Sequence, residues 1–146
     1  MNLFGVMTIS GTALVAERER AEVVASNLAN AETTRTSQGG PYQRMHVVFA
    51  ATHPTGTSFG NQFATLIDFN ARGVQVGAVI PDTAPPLRRF EPGHPDADAQ
   101  GYVSSPAINP VEEEVNLMGA ARSYQANISA VQATKNMIAS ALEILS

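Results

Sequence analysis

The fold of this chain is decided by residues 111–145, VEEEVNLMGAARSYQANISAVQATKNMIASALEIL. Large apolar or aromatic side chains recur in this stretch at intervals of seven residues. A second apolar set lies four residues after members of the first, and Lys135 interrupts it. This pattern is typical of a long helix with a coiled-coil-like apolar stripe. The first set, called the heptad stripe below, is Leu117, Tyr124, Val131, Ile138 and Leu145; the second is Ala121, Ile128 and Leu142.

The sequence also predicts where this helix begins. Asn109 is a residue type that caps helices, Pro110 suits the first helical position, and Glu112 stands where a capping box places an acid. Glu113 and Glu114 add negative charge at the positive end of the helix dipole. The helix would be roughly 50 Å long at 1.5 Å per residue. A helix of that length extends beyond the core that a chain of 146 residues can provide.

A second amphipathic helix is predicted over residues 3–31. Met7, Leu14, Ala21 and Leu28 recur every seven residues. Several Asn and Thr side chains then follow, and because they compete for backbone hydrogen bonds, we expect the helix to end near Asn30.

The middle of the chain has a different composition. Residues 35–108 contain eight of the nine prolines and eight of the eleven glycines, which excludes long helices. Short strands are predicted at 43–50, 73–80, 87–90 and 102–103, while residues 52–72 receive no assignment. The predicted fold is therefore mainly α with a small β-rich insertion. Its parts are an N-terminal helix with its end (1–34), a β-rich middle domain (35–108) and a C-terminal helix (109–146), and the two helices are expected to pair in a coiled-coil-like manner.

Composition narrows the function. Charged residues make up 15% of the chain, against roughly 25% in an average domain, which favours surfaces that are buried against other chains. The net charge is −4 without a basic cluster, so nucleic acid is not an expected partner. No apolar run is long enough for a membrane span, and because the first basic residue is Arg18, no cleaved signal peptide is expected.

Candidate catalytic and metal-binding groups are sparse. Glu91, His94, Asp96 and Asp98 are possible metal ligands, but their spacing between prolines favours a solvated or interface loop. His46 and His53 lack a nucleophile or acid at a recognisable spacing. Glu112, Glu113 and Glu114 are explained by the first turn of a helix. We therefore expect no enzyme activity, no catalytic residue, no metal and no cofactor.

The two predicted helices suggest a role in assembly. One narrow apolar stripe does not offset the cost of ordering so long a helix, so we expect neighbouring subunits to pack around both ends of the chain. The alternative is that the stripes face the chain's own core, and that Asn27 and Asn30 only end their helix. The residues predicted at subunit interfaces are Leu14, Ala21, Asn27, Leu28, Asn30, Leu117, Tyr124, Gln125, Asn127, Val131, Ile138 and Leu145.

Several stretches resemble the bacterial flagellar rod and hook proteins, a family of axial proteins. Residues 25–36, ASNLANAETTRT, are similar to the signature that closes the N-terminal helix in this family. Residues 39–44 (GGPYQR) and 92–103 (PGHPDADAQGYV) resemble the FlgC branch in particular. Residues 111–118 (VEEEVNLM) and 122–127 (RSYQAN) look like the shared C-terminal helix.

The resemblance implies a structural subunit of the proximal rod, which crosses the periplasm. Such subunits are exported by the flagellar type III apparatus without signal cleavage, and their terminal helices form the inner tube. The implied neighbours are other copies of the chain, the rod proteins FlgB, FlgF and FlgG, and FliE. Two alternatives remain: another rod or hook subunit of the same family, or a coiled-coil adaptor or secretion chaperone.

Overall fold

The computed structural model describes residues 3–52 and 73–144. Over these ranges the chain has a helix at each end and, between them in the sequence, four strands in two small sheets. This confirms the predicted mainly α fold with a β-rich insertion. The unassigned segment 52–72 lies almost wholly outside the described residues. The elements are α1 (Leu3–Ala29), β1 (Met45–Ala51), β2 (Val74–Pro81), β3 (Leu87–Phe90), β4 (Tyr102–Ser105) and α2 (Pro110–Ile144).

The polar residues after α1 end it as the sequence predicts. The backbone N–H of Asn30 donates to the Ser26 carbonyl at 3.1 Å, and its side-chain Nδ2 donates to the same oxygen at 2.9 Å. The Thr33 hydroxyl then donates to Asn30 Oδ1 at 3.1 Å. The Asn30 side chain therefore adds a second donor to a carbonyl of the last turn and accepts a bond from the segment that follows, which stabilises the end of the helix here.

The N-terminus of α2 is capped by Asn109. Its Oδ1 accepts the Val111 N–H at 3.1 Å, and its carbonyl accepts the Glu113 N–H at 3.2 Å. This confirms the predicted cap, which satisfies donors that have no partner inside the helix.

The four strands form two separate pairs. β1 is bonded to β2, and hydrogen bonds from Thr52 N–H to Gly73 and from Asp82 N–H to Arg44 make this pair antiparallel. β3 and β4 form an antiparallel hairpin in which Leu87 faces Ser105 and Phe90 faces Tyr102. All four predicted strands are therefore present, with β3 matched at both ends and β4 two residues longer than predicted.

Gly101 is needed for the close approach of the chain beside this hairpin. Its φ is +81°, and an added Cβ would lie 3.0 Å from the Phe90 ring and 3.1 Å from Pro92 Cβ. A side chain there would be strained by both the backbone conformation and the neighbouring atoms. The glycine in the sequence GYV is thus a requirement of the hairpin.

The chain forms two compact units. The described residues of the first are 3–19, 49–52, 73–77 and 120–144, and those of the second are 20–48 and 78–119. In the first unit the start of β2 lies against α1, where Val74 N–H donates to Thr12 Oγ1 at 3.1 Å. Thr12 Oγ1 in turn donates to the Ile9 carbonyl at 2.8 Å, so the hydroxyl links the strand to the helix.

Gly73→Ala is expected to destabilise the first unit. An added Cβ would lie 2.3 Å from Thr12 Oγ1 and 2.9 Å from Thr12 Cγ2, so the strand or the threonine would have to move. We expect a loss of about 1–3 kcal/mol in urea unfolding, as is usual for overpacking. Gly73→Ala/Thr12→Ala removes the two closest atoms and leaves only the Cβ of residue 12, at 3.0 Å, so the double variant should lose less than the sum of the single variants. Strict additivity would contradict this contact.

Small and polar side chains occupy most of the innermost helix positions. On α2 the least exposed are Glu113, Ala120 and Thr134, each 1% exposed, and half-buried Asn127 continues their seven-residue spacing. On α1 they are Ser10, Ala16, Val24 and Asn27. Small side chains allow the helix backbone to approach its neighbours closely. The larger apolar residues of the heptad stripe are consequently displaced to a flank of the buried face.

Candidate functional site

A buried polar cluster in the second unit joins the end of α1, the start of β1 and the start of α2. We call it the junction cluster, and it consists of Asn27, Tyr42, Arg44, Met45 and Glu113. Asn27 and Glu113 are each 1% exposed. Because buried polar groups are costly unless they are hydrogen-bonded, such a cluster fixes a specific arrangement of the elements that carry it.

The Asn27 side chain bonds both backbone groups of Met45 in β1, as a residue of a paired strand would. Its Nδ2 donates to the Met45 carbonyl at 2.9 Å, and its Oδ1 accepts the Met45 N–H at 2.9 Å. The Tyr42 hydroxyl donates to the same Oδ1 at 3.1 Å. The primary amide of asparagine presents an N–H donor and an oxygen acceptor side by side, as a peptide group does, and keeps a second N–H for another acceptor; Asp or Leu at this position would not.

Glu113 connects this arrangement to α2. Its Oε2 accepts a second hydrogen bond from Asn27 Nδ2 at 3.0 Å, and its Oε1 is ion-paired with the Arg44 guanidinium. Asn116 Nδ2, one turn further along α2, lies 3.4 Å from Oε1. Arg44 also reaches the exposed Glu112, at 4.0 Å. The carboxylate of Glu113 is therefore the common acceptor of groups from three parts of the chain.

A second set of polar contacts links the loop after α1 with the loop before β4. The Thr34 hydroxyl donates to Asp96 Oδ2 at 2.8 Å, and Arg35 is paired with the other oxygen of Asp96 at 3.5 Å. The His94 ring nitrogen Nδ1 accepts the Asp96 N–H at 3.1 Å. The side chains of His94 and Asp96 therefore stabilise these two loops.

Asp98 has an equally local role. It accepts the Tyr102 N–H at 2.8 Å, the Gln100 N–H at 3.0 Å and a hydrogen bond from Arg88 at 2.6 Å. These donors, the Tyr102 N–H first, lower the pKa of Asp98 from its usual value of 3.8. At the β1–β2 pair, a hydrogen bond from His46 lowers the pKa of Asp82. Among the described residues, no three His, Cys, Asp or Glu side chains group together as metal ligands.

The predicted interface residues fall into three environments. Asn27 is buried and bonded within its own chain, Tyr124 (38% exposed) and Gln125 are exposed, and Leu145 lies outside the described residues. Asn127 is half-buried and donates to the Ser123 carbonyl of its own helix at 2.9 Å. The remaining members are half-buried: Leu14, Ala21, Leu28, Asn30, Leu117, Val131 and Ile138. Their contacts with other subunits stay a prediction.

The sequence analysis did not predict that Glu113 is the buried acceptor of the junction cluster, or that Arg44 is its ion-pair partner. The first-turn position of Glu113 accounts for an acid there, but it does not explain a buried one. The available signal was the seven-residue series Glu113, Ala120, Asn127 and Thr134, which marks the innermost face of α2 beside the heptad stripe. The series mixes small and polar residues, and three of its four members are 1% exposed, so it marks the buried face although it contains no large apolar residue.

Four of the five stretches that resemble flagellar proteins lie in this second unit; residues 122–127 belong to the first. Asn27 comes from residues 25–36, Arg44 from 39–44 and Glu113 from 111–118, and all three share the junction cluster. Thr34 of the first stretch binds Asp96 of residues 92–103. The resemblance is therefore carried by residues that contact one another in the fold.

Comparison with known protein families gives the same relationship to flagellar rod proteins. Residues 7–35 match the family model for flagella basal body rod protein, and residues 99–144 match the model for the C-terminal part of flagellar basal body rod FlgEFG proteins.

Individual relatives are similar over nearly the whole chain. The flagellar basal-body rod protein FlgC of Borreliella burgdorferi strain B31 is 37% identical over 150 residues, covering 99% of both chains. FlgC of Salmonella typhimurium strain LT2 is 40% identical over 144 residues, covering 99% of this chain and 98% of the relative. FlgC of Bacillus subtilis strain 168 is 38% identical over 148 residues, covering 99% of both. The chain therefore belongs to the FlgC family of flagellar basal-body rod proteins.

Proposed function

We propose that this chain is a structural, non-catalytic subunit of the flagellar proximal rod, which polymerises through its terminal helices into a tube that transmits torque. The observation that carries the proposal is the exposure of large apolar side chains on α1 and α2. Among the described residues, fifteen large hydrophobic side chains are exposed whereas five hydrophobic residues are buried. Eight of the exposed ones lie on the helices: Phe4, Val15, Val111, Val115, Met118, Tyr124, Met137 and Leu142.

The energetics favour burial of these side chains in an assembly. Single exposed apolar residues are ordinary on protein surfaces. Burying one large apolar side chain, however, gains about 1.5–3 kcal/mol, so the two on α1 and the six on α2 together provide a substantial driving force for association. The heptad stripe adds Leu117, Val131 and Ile138, which are only half-buried in the single chain.

The finer assignments are part of the same proposal. The terminal helices, in residues 1–34 and 109–146, pair as a coiled-coil-like axial domain and form the inner tube, and residues 35–108 form the outer domain. The predicted interface residues contact neighbouring copies, FlgB, FlgF, FlgG or FliE. Asn27 also holds α1 to β1 and α2 within each subunit. The subunit is exported by the type III apparatus without signal cleavage and takes its place in the periplasmic part of the basal body.

Two observations bear on the membrane and on the alternatives. Neither helix of the described residues has the length and apolar character needed to cross a membrane. A coiled-coil adaptor or secretion chaperone would have helices that are stable in the isolated chain, whereas a rod subunit would have helix ends that become ordered on assembly. Another rod or hook subunit would share the terminal helices. The relatives described above, however, match this chain over almost their whole length, and all three are FlgC proteins.

The location of the chain tests the proposal. Basal bodies isolated from cells that carry an epitope-tagged copy are expected to contain the tagged chain after membrane extraction. Circular dichroism of the purified chain is expected to show helix ends that are less ordered than those in the assembled rod. Absence from basal bodies, together with fully stable helices in the isolated chain, would instead support the adaptor or chaperone.

A further inference from the structure

The outer face of the β3–β4 hairpin carries an exposed aromatic patch, which consists of Arg88, Phe90 and Tyr102. The hairpin register pairs Phe90 with Tyr102 and Arg88 with Ser104, so these side chains share one face. Phe90 is 64% exposed and Tyr102 40% exposed, with ring centroids 5.3 Å apart. Val103, on the opposite face, is 1% exposed. The hairpin therefore turns an aliphatic side chain inward and its aromatic side chains outward.

Arginine completes this patch. The Arg88 guanidinium carbon lies 4.9 Å from the centroid of the Tyr102 ring, and the side chain is 61% exposed. One end of the guanidinium binds Asp98, and its remaining donors are available to another acid. Tyr, Phe and Arg are the residue types that are enriched at the centres of protein interfaces. The patch has the composition of a contact surface.

The first two turns of α2 present a second exposed apolar surface, which we call the α2 entry face. It consists of Val111, Val115 and Met118, which are 66%, 58% and 63% exposed. Their spacing places them on one side of the helix, opposite the buried Glu113. A shallow groove of about 310 Å³ runs beside Val111 and Val115. This face does not include any member of the heptad stripe.

The two surfaces match in charge. Glu112 and Glu114 flank the α2 entry face, and both are exposed. Glu112 lies 4.0 Å from Arg44 of its own chain, which leaves Glu114 as the acid for a neighbouring copy. The Arg88 donors that do not bind Asp98 supply the opposite charge in the aromatic patch, so Arg88 and Glu114 attract each other when the two surfaces approach. Arg122, one turn beyond Met118, ends the apolar run at its other side.

The surfaces also match in size and in kind of side chain. Four residues of β3 span roughly 13 Å, and the rise from Val111 to Met118 is roughly 10 Å. Methionine sulfur makes favourable contacts with aromatic rings, which suits Met118 against Phe90. Both surfaces are exposed in the same chain, so each is available to a different copy.

We propose that the aromatic patch of one copy docks on the α2 entry face of a second copy of this chain. The inference rests on the proposed rod function and adds a contact on the side of α2 away from the buried face. Because the two surfaces differ, the contact is head-to-tail, and repeating it generates a ring or a helical array. The contact would fix the spacing of adjacent copies around the rod.

Cysteine crosslinking tests this contact, because the natural sequence contains no cysteine. Phe90→Cys and Met118→Cys are placed in separate, differently tagged copies that are expressed together, and isolated basal bodies are treated with a short bismaleimide. The expected product contains both tags at the mass of two chains. Tyr102→Cys with Val115→Cys provides a second pair. As the matched control, Met118→Cys is combined with Ser37→Cys, an exposed position outside the patch, and no mixed product is expected.

The outcomes separate this inference from the proposed function. If the variant chains are present in basal bodies but neither test pair gives a mixed product, the contact is wrong and the rod function stands. Crosslinks of Phe90→Cys to a different rod protein, or an equal yield from the Ser37 control, would also overturn the contact. If the tagged chain without cysteine is itself missing from basal bodies, the proposed function fails first.

Discussion

Replacing Glu113 with alanine is expected to lower the free energy of unfolding by about 3 kcal/mol. The change removes the acceptor for Arg44 and for the second hydrogen bond of Asn27, and leaves a largely buried guanidinium without its closest counter-charge. Arg44 keeps 19% side-chain exposure and the distant Glu112, which places the expected loss at the low end of the range for broken buried pairs. Urea unfolding followed by circular dichroism measures the loss.

Glu114→Ala is the matched control for this prediction. Glu114 lies next to Glu113 in the first turns of α2 and carries the same charge in the same helix dipole, but its side chain is exposed. We expect Glu114→Ala to change the free energy of unfolding by no more than about 0.5 kcal/mol. A double-mutant cycle of Glu113→Ala with Arg44→Ala should show coupling. Equal effects of the two glutamate substitutions would mean that the dipole, rather than the junction cluster, accounts for Glu113.

Val131→Asp is expected to abolish incorporation of the chain into rods, and therefore motility. Val131 belongs to the heptad stripe and is half-buried in the single chain, so a neighbouring helix would complete its burial. An uncompensated carboxylate in such an interface costs several kcal/mol, and the cost recurs in each subunit. Soft-agar motility and immunoblots of isolated basal bodies measure the outcome.

Ala133→Asp supplies the same charge on the exposed side of α2, two residues further along the helix. We expect this control to be incorporated, and the unfolding transitions of the two purified variants to be similar. Normal rods containing Val131→Asp would refute the assignment of the heptad stripe to an intersubunit contact. A loss of folding in Val131→Asp alone would place the stripe inside the subunit.

The elements of the fold were predictable because their signals are local. The Asn109 cap, the cluster of Asn and Thr after α1, and the prolines and glycines between the helices each act within a few residues. The heptad spacing identified α2 as a helix over almost its full length. The ends of β1, β2 and β4 differ from the predicted ends by one or two residues, because backbone bonds to the partner strand define them and the sequence does not show these bonds.

The junction cluster was not predictable in the same way. Asn27 and Glu113 are 86 residues apart in the chain, and each has a sufficient local explanation as a residue of a helix terminus. Only the fold brings them together with Arg44. The polar and small residues that occupy the innermost helix positions are likewise ambiguous in the sequence, where Ala120 and Thr134 resemble surface residues as much as close-packed ones.

The most direct test of the account is the accessibility of a cysteine that replaces Leu142. Leu142 is 63% exposed in the single chain, and the chain has no other cysteine. A maleimide reagent is applied to the purified variant and to isolated basal bodies that contain it, and both are labelled again after denaturation to count the total thiol. The account predicts rapid labelling of the purified chain and protection in the basal body. Equally rapid labelling in the assembled basal body would contradict it, because the apolar face of α2 would then remain uncovered.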